Sequence, residues 1–164
     1  MSAKDKLEAW TQKSNEAKDR FVAYKEAVHQ LNECIKAYAE REFGARVRCT
    51  LEPSRRVSLT GPVEGPYELE NLKILLNDQL LITVKATTPD NNSVKIECGQ
   101  AFATLLWTGG PTLSDWKLRA SNKPGRFAIS NLKDPPDTVS LPESEGLPLD
   151  ESILGRVFEQ LIPD

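Results

Sequence analysis

Apolar residues recur on alternating three- and four-residue steps from Leu7 to Tyr38; from Val47 onward they recur at every second residue. The first period is that of a helix with one apolar stripe, the second that of strands with one buried face. Between Lys4 and Phe43 there is neither proline nor glycine, and Gly44 follows as a C-terminal cap. The spacing therefore predicts one long helix, which at about 1.5 Å per residue reaches roughly 60 Å, about twice the width of a small domain. Part of it is expected to overhang the body.

In the strand region, Val47, Cys49 and Leu51 alternate with Arg46, Arg48 and Glu52, which predicts a first strand ending at Pro53 and a short second one around Val57 and Leu59. Tyr67 and Leu69 fall on odd positions, but Leu72, Ile74 and Leu76 fall on even ones, so a bulge or break is expected near Asn71. Further strands are expected at Leu80–Ala86, around Val94, Ile96 and Cys98, and at Ala101–Trp107, which is apolar on both faces as a central strand is. Trp116, Leu118 and Ala120 are expected to pair with Phe127 and Ile129. Residues 133–150 are rich in proline and acids and read as a surface connection. Asp150 then caps a short helix, Glu151–Ile162, with Ile153, Leu154, Val157, Phe158 and Leu161 on one face. The expected fold is α+β in one domain: a long helix over 1–44, an antiparallel meander of about six or seven strands over 45–132, an acidic proline-rich connection over 133–150, and a C-terminal helix over 150–162 packed on the body.

Composition adds constraints. With 39 % apolar and 27 % charged residues, the chain lies well inside the range that folds. The longest apolar run, Ala101–Trp107, is too short to cross a bilayer, and the first ten residues carry charges where a signal peptide needs apolar ones. A soluble, cytosolic protein is expected. Cys34, Cys49 and Cys98 form no CxxC pair and suit reduced thiols. The net charge of −3 divides unevenly into a balanced helix, a mildly basic middle and an acidic tail.

Catalytic chemistry is tested by elimination. The single histidine, His29, lies off the apolar stripe and reads as a solvent-facing helical residue, so a nucleophilic triad lacks a base and a transition metal lacks ligands. The sequence Thr108–Pro111 is glycine-rich but lacks the lysine and hydroxyl of a phosphate loop. Glu68 and Glu70 fall on one face of an ideal strand and read as a wet face. No catalytic residue, metal or cofactor is expected, and the chain is expected not to be an enzyme. Two binding chemistries remain as alternatives. Arg46, Arg48, Arg55 and Arg56 could meet the phosphates of a nucleic acid from the polar sheet face, although the pI of about 5.4 speaks against it. Phe102, Trp107 and Trp116 could line an apolar pocket between sheet and helix for a small ligand.

The helix itself offers the leading reading. Written as heptads from Leu7, position a holds Leu7, Ser14, Phe21, Val28 and Ile35, and position d holds Trp10, Ala17, Tyr24, Leu31 and Tyr38. An acidic stripe, Asp19, Glu26, Glu33 and Glu40, runs opposite. Lys13, Lys18, Arg20 and Lys25 flank the first half, and a homodimer through residues 7–25 would set like charges against each other. In the second half the flanks become Ala27, Cys34 and Ala39, a broad strip suited to a flat sheet. The expectation is that residues from about Ala27 to Phe43 cover the sheet while Leu7–Tyr24 continue past it. Trp10, Ala17, Phe21 and Tyr24, with Lys13, Lys18 and Arg20, would then meet another protein with an acidic or amphipathic surface. The competing arrangement packs the first half against Val157 and Phe158, with the acidic tail on the basic flanks. The function expected is a non-catalytic protein-binding module of adaptor, chaperone, immunity or inhibitor type.

Overall fold

The long helix has defined ends. In the computed structural model, which describes residues 2–58, 65–86, 93–119 and 147–163, α1 runs over Ala3–Phe43. The Ser2 hydroxyl accepts the Asp5 backbone N–H and the Asp5 carboxylate accepts that of Ser2, satisfying donors that a helix start leaves open. At the other end Gly44 adopts φ +60° and donates its N–H to the Glu40 carbonyl, a backbone turn that favours glycine. One 3₁₀ turn, Gly44–Arg46, then leads into the sheet.

Among the described residues seven strands follow: β1 (Val47–Ser58), β2 (Gly65–Leu76), β3 (Leu80–Ala86), β4 (Ser93–Cys98), β5 (Ala101–Trp107), β6 (Trp116–Arg119) and β7 (Leu147–Pro148), and after them comes α2 (Glu151–Leu161). Each strand pairs antiparallel with its chain neighbours, a pure meander, so the fold is the expected α+β one. Asn77 and Asp78, at φ 52° and 58°, make the two-residue turn that matches strand twist, closed by the Gln79 N–H on the Leu76 carbonyl at 3.0 Å.

Three strand expectations need correction. Pro53 does not end the first strand: β1 runs through it to Ser58 as one edge strand, where a proline is tolerated because one side of the backbone has no partner to bond. The expected break near Asn71 is a change of face within a continuous strand. Tyr67 and Leu69 face the helix, then Leu72, Ile74 and Leu76 do, while the pairing of β1 with β2 keeps one register throughout. Leu147 and Pro148, placed by sequence in an irregular connection, instead form β7 against β6. Residues 133–146, Ala120 and the proposed partners Phe127 and Ile129 lie outside the described residues.

The helix-facing side of the sheet is the core. Leu72, Ile74, Ile82, Val84, Ile96, Leu105 and Leu118 are all buried there against Val28, Leu31 and Ile35 of α1, while the intervening strand residues face away. The second helix packs beside the C-terminal end of α1: Phe158 stacks on Tyr38 at 5.6 Å and meets Phe43 at 6.0 Å, and Arg41 pairs with Glu151 at 2.8 Å. Gly155 makes this approach possible, since a Cβ there would lie 2.8 Å from the Tyr38 hydroxyl. The alternative in which Val157 and Phe158 cover the first half of α1 is therefore excluded, because they sit at its other end.

Candidate partner-binding surface

How far α1 is covered follows from the lengths of β1 and β2. β3 pairs only with Leu72–Leu76, so Pro53–Ser58 and Gly65–Glu70 continue beyond it as a two-stranded ribbon beneath the helix. From Phe43 back to Phe21 the helix advances about 33 Å, and from Val47 to Arg56 the strand advances about 30 Å in the opposite sense. The two meet where Phe21 packs edge-on against Tyr67, the cross-strand partner of Arg56, with ring centroids 5.5 Å apart.

The seven residues expected to face a partner thus divide. Tyr24 is fully buried, its ring 5.6 Å from Trp107 and 6.2 Å from Trp116, and its hydroxyl donates to the Ser93 carbonyl at 2.6 Å. It is a core residue, and the boundary expected near Ala27 lies closer to the N-terminus. Phe21 and Ala17 are half-buried, and the Arg20 guanidinium lies 5.3 Å from the Trp107 ring, where cation and ring attract. Lys13 and Lys18 are exposed, as is Trp10 at 66 %. Every residue from Ser2 to Lys13 is exposed, and Ser14 is the first buried one. Leu7, which the site expectation omitted, is 62 % exposed one turn before Trp10. Its heptad position was the available signal.

The four arginines do not form one surface. Arg46 lies in the 3₁₀ turn, and Arg48 points away from the helices and pairs with Asp78 at 3.5 Å. Arg55 is exposed opposite Glu68, whereas Arg56 shares the helix side with Tyr67 and bonds the Ser54 hydroxyl at 3.4 Å. The change of face in the β1–β2 pair is what separates Arg48 from Arg56. The three residues named for an apolar pocket do not converge: Trp107 and Trp116 are buried 6.4 Å apart in the core, and Phe102 lies on the opposite face under the Lys95 ammonium.

The same change of face parts Glu68 from Glu70. Glu70 turns toward α1 and accepts from His29 Nδ1 at 3.1 and 3.2 Å and from the buried Asn32 Nδ2 at 3.2 Å; Asn32 Nδ2 also donates to the Glu70 carbonyl. The carboxylate's hydrogen bond holds the His29 pKa above its ordinary value, against a smaller opposing effect of desolvation. His29, read from the sequence as a solvent-facing residue of structural or neutral role, is a tether between helix and ribbon. Burial pushes the thiols of Cys49 and Cys98 up, which favours the protonated, unreactive form. Among the described residues no group of three or more His, Cys, Asp or Glu side chains is placed to hold a metal ion, and no helix is long and apolar enough to cross a membrane.

Comparison of the chain with models of known protein families, with curated proteins and with solved structures finds no match in any of the three.

Proposed function

We propose that the protein is a non-catalytic binding module that engages another protein through the overhanging first turns of α1. One observation carries this reading: Leu7 and Trp10, on the same stripe that forms the core further along, are 62 % and 66 % exposed. A large aromatic held on a capped helix is a suitable anchor because little conformational freedom is lost when it is covered. Lys6 and Lys13 border the pair, which favours a partner whose own apolar stripe is edged with acids and disfavours a second copy of this helix.

The test is photo-crosslinking in the native cell. A photoreactive leucine at position 7 is expected to give a discrete protein adduct that Trp10→Ala abolishes. The same group in place of Val22, exposed at 67 % off the stripe, is expected to give none. Equal labelling from both positions, or no adduct from position 7, overturns the reading.

A further inference from the structure

The outer edge of β1 offers backbone hydrogen bonds along one short window. Among the described residues β1 ends the sheet, and its register with β2 sets Val47, Cys49 and Leu51 opposite Leu76, Ile74 and Leu72. The Asn77 N–H bonds the Arg46 carbonyl, and the Leu76 carbonyl is taken from the β3 side by the Gln79 N–H. Bonded and unbonded pairs alternate along an antiparallel ladder. Arg48, Thr50 and Glu52 therefore bond to β2, while the N–H and C=O groups of Cys49 and Leu51 point outward. The window has two natural ends: the Val47 N–H is already on the Gly44 carbonyl, and Pro53 has no N–H. The side chains agree with an open edge, since Leu72 and Ile74 are at 0 % exposure whereas their cross-strand partners Leu51 and Cys49 are only half-buried.

A second copy of the same strand fits this window. Laid antiparallel so that the ends coincide, the two copies are centred on Thr50, and Cys49 of each exchanges both backbone bonds with Leu51 of the other. Val47 then meets Pro53, where neither chain has an N–H left to satisfy. On the face away from the helices the same register sets Arg48 against Glu52 on both sides of the axis, and Thr50 against Thr50. Opposite charges and paired threonines directly across strands are favourable; sliding the copy until Arg48 meets Arg48, or Glu52 meets Glu52, sets like charges together. Neither charge has to be free for this. Arg48 is held by Asp78 at 3.5 Å and Glu52 by Lys73 at 3.0 Å, but both pairs are open to solvent, and a guanidinium and a carboxylate each keep bonding positions for a further partner. We propose that two copies of the chain associate weakly through β1, antiparallel about an axis at Thr50, joining their sheets into one. This contact is separate from the exposed turns of α1.

The test is sedimentation equilibrium of the full chain from about 10 to 500 μM, where a small interface of this kind is expected to populate a dimer. Arg48→Glu alone and Glu52→Arg alone are each expected to weaken dimerisation about tenfold, because like charges then face each other on both sides of the axis. An equimolar mixture of the two variants is expected to dimerise again, since every arginine then faces an acid. A folding defect could not be repaired by mixing. Thr50→Cys in a Cys34→Ser chain, which lacks the exposed native thiol, is expected to form a disulfide-linked dimer under mild oxidation. Unbonded partners at the axis stand about 4.5 Å apart, within reach of a disulfide. Arg55→Cys in the same chain is expected to stay unlinked. Trp10→Ala is expected to leave the dimer intact, so this proposal and the helix surface fail separately. Monomer across the whole range overturns the proposal, as does a dimer that both charge variants retain, or one that the mixture of folded variants does not restore. Failure of position 50 to cross-link also overturns it, and a dimer lost with Trp10→Ala does so in favour of contact through the helix.

Discussion

The first three turns of α1 and its second half carry the same heptad pattern and meet opposite fates. Leu7 and Trp10 are mostly in solvent, while Val28, Leu31 and Ile35, on the same stripe, are all but inaccessible. Helix periodicity determines which side of the cylinder is apolar; what that side meets depends on how far the neighbouring layer extends. Here the layer ends with the β1–β2 ribbon, about 30 Å along the helix from Val47. The difference between the halves is thus one of reach rather than of local pattern.

The sharpest way to break this comparison is truncation. Removing residues 2–24 takes Phe21 off Tyr67 and Tyr24 out of its contacts with Trp107 and Trp116, and is expected to abolish cooperative unfolding in urea. Single substitutions grade the effect. Leu31→Ala is expected to cost about 2–5 kcal/mol, the range for a buried leucine whose cavity cannot collapse. Leu7→Ala, on the same stripe, is expected to change stability by no more than about 0.5 kcal/mol. Equal costs would show that the overhang is packed in solution. Tyr24→Phe keeps the ring and removes the hydroxyl's bond to the Ser93 carbonyl, for an expected loss of about 1 kcal/mol by urea titration.

The same contrast explains what could be read in advance. The change of period at Gly44 and the switch between Leu69 and Leu72 are local signals, and both appear in the fold. The seam residues were legible too, as was the exposed position of Trp10. Burial of Tyr24 was not, because the residues that cover it, Ser93, Trp107 and Trp116, come from strands far along the chain. The contact of His29 with Glu70 spans 41 positions and depends on the strand changing face, which also divided the arginines. Pro53 misled for a topological reason: it interrupts an inner strand but not an edge one.

The His29–Glu70 tether lies between the two halves and predicts a smaller effect with a definite sign. Its pKa in the folded protein is raised above the ordinary value of 6.5, first by the hydrogen bond to Glu70. The charged pair therefore contributes stability fully below about pH 6.5, and that contribution is lost as pH rises through the folded pKa. Because the side chains are 44 % and 28 % exposed, solvent screens the pair and the shift in urea midpoint is expected to be slight. The direct measurement is the proton NMR titration of His29, the chain's only histidine. Its midpoint is expected above 6.5, and Glu70→Gln is expected to return it toward that value. An unshifted midpoint in the wild type would show that helix and ribbon are not joined there.

The smallest expected effect is the most discriminating. Deleting residues 2–11 removes Leu7, Trp10 and the Ser2–Asp5 capping box while sparing Ser14, where burial begins. Capping is worth about 1 kcal/mol to a helix end, but that energy opposes fraying of turns that already open independently of the body. The urea midpoint should therefore stay unchanged, and amide exchange of Val28, Leu31 and Ile35 should be as slow as in the full chain. Tryptophan emission should shift to the blue, since the exposed Trp10 is lost and the buried Trp107 and Trp116 remain. If the protein that cross-links to the full chain no longer co-purifies with the deletion while the midpoint holds, the first turns contribute recognition without stability. A lowered midpoint would instead place Leu7 and Trp10 against the body, and the exposed anchor would cease to exist.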